Sequence, residues 1–232
     1  MKVAVITGAS QGIGEGLVAG FRQAGYAVVA TSRSIAHVDA PDYESVQGDI
    51  ADPETAERVV ERALERFGRI DSLINNAGLF VGKPFTDYTA EDYVALTGVN
   101  LAGFFHITQH AIRQMVRQGG GHVVNVSTSL VDHASGDRPA ALPVLTKGGL
   151  AAVARSLAIE YASRGVRVNA VSLGVIRTPT HDPATYAGLA ALHPLGRLGE
   201  ISDVVDAILY LDRATFVTGE VLHVDGGQSA GS

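Results

Sequence analysis

A glycine-rich turn near the start of the chain has the residue types needed to bind phosphate groups. The stretch Thr7-Gly8-Ala9-Ser10-Gln11-Gly12-Ile13-Gly14 follows a short β-branched run and opens a helical pattern. Glycines permit a tight turn and let the backbone approach a pyrophosphate, whose charge is stabilised by the free N–H groups and positive dipole of the helix N-terminus. The turn therefore predicts a dinucleotide site that includes Ser10 and Gln11 beside the glycines.

Several further motifs follow the glycine turn in a fixed order. The turn has the spacing Gly-x-x-x-Gly-x-Gly, and it is followed by Asp49, by Asn75-Asn76-Ala77-Gly78 and by Asn100. The segments 168–172 (VNAVS) and 223–227 (HVDGG) come later. With this ordered set, from Lys2 to Gln228, the chain resembles the short-chain dehydrogenase/reductase family in its single-domain form. An ordered set of motifs is much more specific than one glycine turn.

The resemblance implies roles for the matching residues. Asn100 would lie in a helix break beside Lys147 and position water for proton relay. Lys147 would also bond the nicotinamide ribose. The other contacts implied by the family are Gly8, Gly12, Ile13 and Gly14 on the pyrophosphate, Asp49 and Ile50 beside the adenine, Asn76, Ala77 and Gly78 along the cofactor ribose, and the segment with Gly174, Ile176 and Thr178 on the carboxamide.

The end of the second predicted strand indicates which dinucleotide is bound. Family members that use NAD usually carry an acidic residue where this chain has Ser32, and here Arg33 follows at once. No carboxylate is present to bind the ribose 2′-hydroxyl or to repel a 2′-phosphate, whereas a hydroxyl next to a guanidinium suits a phosphate dianion. The two residues favour NADP(H). The alternative is that Arg33 is a solvated surface arginine.

The chain departs from the family at the usual proton donor. Family members place a tyrosine four residues before the lysine, so that one helical turn brings both side chains to the nicotinamide and the ammonium lowers the pKa of the phenol. Four residues before Lys147 stands Pro143, and the stretch 142–147 contains no acid. The family's general acid is therefore absent.

The neighbouring hydroxyl position is altered as well. Counting along the fifth predicted strand, Thr128 takes the place of the family's catalytic serine. Its hydroxyl can bond a carbonyl oxygen, but its pKa is too high for it to replace a phenol as the working acid. The loop from Thr128 to Pro143 is longer than in family members, which indicates that it is remodelled.

Other side chains could supply the proton. They lie in this loop or in the segment 179–198, which covers the substrate in relatives, and each is more simply explained as a surface or packing residue. Asp137 and Arg138 are expected to form a solvated turn before Pro139. The candidate donors are Asp132, His133, His181, Tyr186 and His193.

Two functions from different classes explain this pattern. The first is an NADP(H)-dependent oxidoreductase that interconverts a carbonyl and an alcohol on a small or medium apolar substrate, with the proton supplied by water, Thr128 or a covering residue. The second is a non-catalytic NADP-binding protein that serves sensing or assembly. Retention of Asn100 and Lys147 favours the enzyme, because a binder needs only the cofactor contacts. Asn100, Thr128 and Lys147 are then the candidate catalytic residues.

Alternating strands and helices must position these motifs. Strands joined by helical crossovers form a parallel sheet with helices on both faces. We expect one α/β domain over residues 1–232, a doubly wound (Rossmann) sheet of about seven strands. The predicted strands are Val3–Thr7, Ala27–Thr31, Ser45–Gln47, Ser72–Asn75, His122–Ser127, Val166–Val171 and Glu220–Val224, and the predicted helices are Gly12–Ala24, Pro53–Phe67, Leu101–Arg117, Lys147–Ser163 and Ser202–Leu211.

Composition limits the partners. The chain has 232 residues and a net charge of -6, with no clustering of Lys and Arg of the kind that nucleic-acid binding needs. Its first residues contain no signal-like apolar run, and no stretch of about 18 consecutive apolar residues occurs. We therefore expect a cytoplasmic protein without nucleic-acid or membrane partners. With no cysteine, disulfides and cysteine nucleophiles are excluded.

One helical segment indicates self-association. Apolar residues between Leu101 and Met115 cover more than one face of the predicted helix, so this helix should be buried on a second side. Relatives dimerise through this helix and the one that carries Lys147, and we expect a homodimer or, more specifically, a homotetramer. His106 and His110 have the spacing of a metal pair but no third ligand at a telling distance, so no metal is predicted.

Overall fold

Strands and helices alternate along the computed structural model, which describes residues 1–179 and 181–231. The strands are β1 (Val3–Thr7), β2 (Ala27–Ser32), β3 (Tyr43–Gln47), β4 (Ser72–Asn75), β5 (Gly121–Thr128), β6 (Val166–Leu173) and β7 (Val221–Val224). The helices are α1 (Gly12–Gln23), α2 (Pro53–Phe67), α3 (Ala90–Thr97), α4 (Phe104–Gln118), α5 (Ala141–Tyr161), α6 (Tyr186–Ala190) and α7 (Ile201–Arg213).

The sheet has the predicted doubly wound topology. In the described part of the chain, seven parallel strands lie in the order β3-β2-β1-β4-β5-β6-β7. Successive side chains of a strand point to opposite faces. Val3 and Val5 accordingly pack with α2, α4 and α5, whereas Ala4 and Ile6 pack with α1 and α7. Because both faces are covered, the loops at the carboxyl ends of the strands are left free to form a site.

The fourth helix begins later than predicted. Residues Gly98–Gly103 form a π-helix, and the α-helical part starts at Phe104 instead of Leu101. A π-helical turn cannot be recognised from apolar spacing, because it changes the hydrogen-bond pattern without a characteristic residue type. One face of α4 packs on the sheet, but Phe105 on another face remains 54% exposed. The burial of a second face of this helix, which the sequence predicts, therefore does not occur within a single copy of the chain.

The fifth helix begins earlier than predicted. It starts at Ala141 instead of Lys147, and Pro143 is its third residue. A proline normally stops a helix because it lacks an N–H group, but the N–H groups of the first turn have no acceptor within the helix, so proline is tolerated there. Pro143 and Lys147 therefore lie one turn apart on the same face of α5.

By length and composition alone, α5 and the turn after it could cross a membrane. Core helices pass the same test, and one face of α5, with Leu150, Ala154 and Ala158, is buried in this structure. Ala154 and Ala158 belong to the same core cluster as Val123 and Val168 of the sheet. One face of α5 thus packs against the sheet, and the cytoplasmic location stays a prediction.

A buried polar cluster lies at the amino ends of the strands, away from the glycine turn. The Asp212 carboxylate accepts hydrogen bonds from Tyr26 Oη and Ser72 Oγ, and His122 Nδ1 lies 3.4 Å from its Oδ1. Asn169 Nδ2 lies 3.0 Å from His122 Nε2 and donates to it. Burial lowers the pKa of His122, so its ring is neutral. Burial alone would raise the pKa of Asp212, but the hydrogen bonds outweigh it and the pKa is lowered.

Candidate active site

A cleft of about 1060 Å³ opens at the carboxyl ends of the strands. In doubly wound sheets, ligands bind at this edge, where the strand order reverses, which here is between β1 and β4. Thr128 and Lys147 also line the cleft, whereas Asn100 lies behind its wall. Every cofactor contact expected from the sequence lines the cleft: Gly8, Ser10, Gln11, Gly12, Ile13, Gly14, Ser32, Arg33, Asp49, Ile50, Asn76, Ala77, Gly78, Lys147, Gly174, Ile176 and Thr178.

The glycine turn leaves no room for side chains. Gly8 and Gly12 have φ of 66° and 58°, in the left-handed region that favours glycine. A Cβ atom on Gly14 would lie 2.1 Å from the carbonyl oxygen of Gly8. Gln11 precedes α1 without a side-chain hydrogen bond to the first helical N–H groups. These groups are thus available to an anion, which fits a dinucleotide pyrophosphate.

The wall at the end of β2 also fits a polar ligand. Arg33 is exposed there, and no ion pair formed within residues 1–179 and 181–231 includes it. The Thr31 hydroxyl lines the same wall at 1% exposure and has no hydrogen-bond partner in the described part of the chain. Asp49 uses Oδ1 to accept from the Ala51 amide at 3.0 Å. The Arg33 guanidinium therefore remains for a ligand, whereas the Thr31 hydroxyl is enclosed beneath this wall.

Asn76 supports the turn from behind. Its Nδ2 donates to the carbonyl oxygens of Thr7 at 2.9 Å and Gly8 at 3.1 Å. Thr7 Oγ1 in turn accepts from the backbone amides of Asn76 and Ala77. The side chain of Asn76 thus holds β1 and β4 together and shapes the turn, while the residue lines the cleft.

Lys147 lies on the floor of the cleft. It is 9% exposed, and its Nζ donates to the carbonyl oxygen of Val126 at 3.1 Å. Burial lowers the pKa of Lys147 to about 8. A Cβ atom on Gly78 would lie 3.0 Å from Nζ, so a side chain at residue 78 would crowd the ammonium. Two N–H groups of Lys147 remain for ligand or water.

Asn100 holds the π-helix against its neighbours. Its Nδ2 donates to the Leu79 carbonyl oxygen at 3.0 Å and to Thr146 Oγ1 at 2.9 Å, and its Oδ1 accepts from the Leu79 amide at 2.8 Å. Both amide protons are therefore used inside the protein. The geometry supports a positioning role for this side chain, and its expected role in water relay stays a prediction.

Thr128 is the hydroxyl at the end of β5 that faces the cleft. It is half-buried, and its Oγ1 accepts a long hydrogen bond of 3.4 Å from the Leu130 amide. Because Oγ1 is the acceptor in that bond, its own proton is free to be donated. Pro143 is buried in the first turn of α5 and does not line the cleft.

Four of the five candidate proton donors do not line the cleft: Asp132, His133, Tyr186 and His193. Asp132 Oδ2 lies 3.0 Å from His223 Nε2, which ties the loop after β5 to β7. The Tyr186 ring lies under the Arg177 guanidinium at 4.9 Å. These contacts give Asp132 and Tyr186 structural roles.

Two more of the candidates, His193 and His181, differ in whether their ring nitrogens are already bonded within the protein. His193 is 3% exposed, its Nδ1 donates to the Leu189 carbonyl oxygen and its Nε2 accepts from the Val175 amide, both at 3.0 Å. No nitrogen of this ring is free for proton transfer. His181 lines the cleft, with Nδ1 3.0 Å from Thr178 Oγ1. Among the five candidates, His181 alone lines the cleft.

The cleft lining also includes residues that sequence reasoning did not place in the site. Asp137 and Arg138 lie at a solvated turn, as predicted, and they also form part of the cleft wall. Ser129 and Gln228 are buried and bond each other, with Ser129 Oγ donating to Gln228 Oε1 at 2.8 Å. Gln228 directly follows the motif 223–227, so its position in the sequence was the available signal.

His106 and His110 lie on α4, apart from the cleft lining. Within residues 1–179 and 181–231, no group of three or more His, Asp and Glu side chains is arranged to hold a metal ion. Contacts of the His106 ring include Phe105, with ring centroids 5.5 Å apart.

The chain is similar to known proteins over nearly its whole length. The family model described as enoyl-(acyl carrier protein) reductase matches residues 8–229. The 3-oxoacyl-[acyl-carrier-protein] reductase FabG of Thermotoga maritima is 35% identical, with 97% of each chain covered. The L-xylulose reductase of Bos taurus is 36% identical, with 97% of this chain and 95% of the relative covered.

Solved structures show the same similarity. The structure of ElxO with NADP bound has a TM-score of 0.92 at 27% identity, with 99% of both chains covered. The 3-ketoacyl-(acyl-carrier-protein) reductase from Brucella melitensis, complexed with NADH, has a TM-score of 0.89 at 32% identity, with 98% of both chains covered. The similarity thus extends over nearly the whole chain.

Proposed function

Because this chain belongs to the short-chain dehydrogenase/reductase family of oxidoreductases, we propose that it interconverts a carbonyl and an alcohol with NADP(H), on a small or medium substrate that is largely apolar. One observation carries the proposal. The cleft is lined by the full set of expected cofactor contacts and, in the same cavity, by Thr128 and Lys147. A protein that only binds the dinucleotide has no need of the last two together.

NADP(H), when bound, would supply or accept the hydride. Thr128 Oγ1 donates a hydrogen bond to the carbonyl oxygen of the substrate and holds it in place. Lys147 would use its free N–H groups on the nicotinamide ribose and on a water molecule, and this water delivers the proton to the oxygen as the hydride arrives. Leu130 and Leu189 of the cleft wall contact the apolar part of the substrate. Without a phenol, proton delivery is the weak step of this site.

Arg33→Ala is expected to weaken NADPH binding by about 1.5–3 kcal/mol, because a guanidinium hydrogen-bonded to a phosphate is stronger than a neutral hydrogen bond. The affinity for NADH should hardly change, since NADH has no 2′-phosphate. Calorimetric titration of both cofactors measures the difference. Arg117→Ala, which removes an exposed arginine outside the cleft, is the matched control. Tighter binding of NADH than of NADPH by the wild type would reject the NADP assignment.

Thr128→Ala tests whether the site is catalytic. It should reduce the single-turnover rate of hydride transfer to aldehydes, ketones or quinones by about 10-fold or more, since it removes the hydrogen bond to the carbonyl oxygen. It should leave NADPH affinity intact, and Thr128→Ser should retain the rate because it keeps a hydroxyl. If the wild type binds NADPH but oxidises none over such a panel, the protein is a non-catalytic binder.

We also propose that the chain forms a homodimer or homotetramer through α4 and α5. The exposed apolar side chains on these helices include Phe105, Leu145 and Ile159, which are 54%, 63% and 82% exposed. Burial of such residues between subunits is favourable. Light scattering at micromolar concentration should show the oligomer, and Phe105→Asp should shift it toward smaller species. A monomeric wild type would contradict the proposal.

A further inference from the structure

The contact between Ser129 and Gln228 joins two distant parts of the chain in the wall of the cleft. Ser129 is 1% exposed and Gln228 is 7% exposed, and both line the cavity. Ser129 Oγ donates to Gln228 Oε1 at 2.8 Å. In this arrangement the carboxamide oxygen is directed at Ser129, so the Nε2 group is at the opposite end.

The other end of the carboxamide is unused by the protein. Gln228 Nε2 carries two protons, and it has no acceptor within residues 1–179 and 181–231. Nε2 is not enclosed by the protein, so it is open to a ligand or to water in the cleft, either of which can accept from it. Gln228 lines the same cleft as Thr128, and its partner Ser129 directly follows Thr128 in the chain.

We propose that Gln228, oriented by Ser129, is a second anchor for the substrate, so that the protein acts on carbonyl compounds that carry another oxygen acceptor near the reacting carbonyl. This inference rests on the proposed function and narrows its substrate class. Because Gln228 and Thr128 line the same cleft, and Ser129, the partner of Gln228, directly follows Thr128, the second oxygen is expected within a few bonds of the reacting carbonyl. A 2-hydroxy ketone and a 3-oxo ester have this arrangement. Leu130 and Leu189 contact the remaining part of the substrate, so we expect that part to be apolar.

A purely structural role for Gln228 is poorly supported, because other contacts already hold both segments. Asp225 accepts from the Gly227 amide at 3.0 Å and from the Ser229 amide at 2.9 Å, which closes the C-terminal loop. The loop after β5 is tied to β7 by Asp132 and His223. The Gln228 carboxamide is therefore not needed to keep either segment in place.

Gln228→Glu separates the two roles. A glutamate at this position still accepts from Ser129 but has no N–H to donate; the negative charge that it adds acts on all substrates, so the ratio between substrates reports the lost contact. The kcat/KM values for a 2-hydroxy ketone, a 3-oxo ester and an unsubstituted ketone of equal length are compared in wild type and variant. The ratio of an oxygen-bearing substrate to the plain ketone should fall about tenfold, as expected for one lost hydrogen bond. Equal losses on all three compounds would overturn the proposal.

Asp132→Asn is the matched control, since it weakens the anchoring of the same loop without facing the cleft, and it should leave the ratio unchanged. A ratio that falls equally in this variant would also overturn the proposal. Calorimetric binding of the same compounds to the NADP⁺-loaded protein adds a readout without turnover. If no compound is reduced but the oxygen-bearing ones still bind more tightly to wild type than to Gln228→Glu, the anchor stands and the oxidoreductase proposal fails.

Discussion

Pro143→Tyr is expected to raise the rate of NADPH-dependent carbonyl reduction by about 10²–10⁴-fold, the range that a positioned general acid contributes. The early start of α5 makes this possible, because residue 143 already lies in the helix, one turn before Lys147. A phenol there would be near the Lys147 ammonium, which lowers the pKa of a neighbouring phenol. Single-turnover reduction of one ketone by the wild type and the variant, with NADPH affinity measured in parallel, gives the comparison.

Pro143→Phe is the matched control, because it introduces the same ring without the hydroxyl. It should show no gain, and its folding stability reports whether the larger ring fits among the buried residues of the first turn. An equal gain in both variants would mean that the proline limits the shape of the cleft and not its acidity. No gain in a folded Pro143→Tyr protein would show either that a phenol at residue 143 does not reach the cleft or that another route already delivers the proton.

Asp212→Ala is expected to lower the free energy of unfolding by about 3–5 kcal/mol, the usual cost of removing one partner from a buried polar or ionic group. The substitution leaves Tyr26 Oη, Ser72 Oγ and His122 Nδ1 without their acceptor. Urea unfolding at neutral pH measures the loss. Asp42→Ala removes a carboxylate that pairs with Arg22 near the surface, and this control should cost less than about 1 kcal/mol.

The acid dependence of stability follows from the same cluster. Since the folded-state pKa of Asp212 is lowered, its contribution is fully present above the unfolded-state pKa of about 3.9 and is lost as the pH falls through the folded value. The difference in the free energy of unfolding between wild type and Asp212→Ala should therefore become smaller below about pH 4. A difference that stays constant down to pH 2 would show that Asp212 acts only by packing.

Local patterns were sufficient to predict the sheet, and the residues that the family resemblance implies as cofactor contacts all line one cleft. The glycine turn, the segment ending at Gly78 and the pair at the end of β2 each follow a strand, and parallel strands bring their carboxyl ends to one edge. Residues distant in the chain therefore converge without any long-range information. The start of α5 could not be predicted in the same way. A proline ends a helix at most positions but is tolerated in the first turn, so Pro143 alone does not indicate where the helix begins.

The reacting side of the cleft was much less predictable. Its walls come from long loops, where no periodic pattern fixes which way a side chain faces. His193 and His181 are equivalent candidates in sequence, yet the first is enclosed by backbone groups and the second faces the cavity. Gln228 meets Ser129 across 99 positions, a contact that only the tertiary fold determines.

The π-helix at Gly98–Gly103 makes this stretch sensitive to its length. Its hydrogen bonds close one residue further along the chain than those of an α-helix. Losing a single residue there would let the segment close as an ordinary α-helix and would turn everything before it by about 100° about the axis of α4. Asn100 would then be carried away from Leu79 and Thr146 at once. Insertions and deletions in this stretch are therefore far more harmful than most exchanges of one side chain for another.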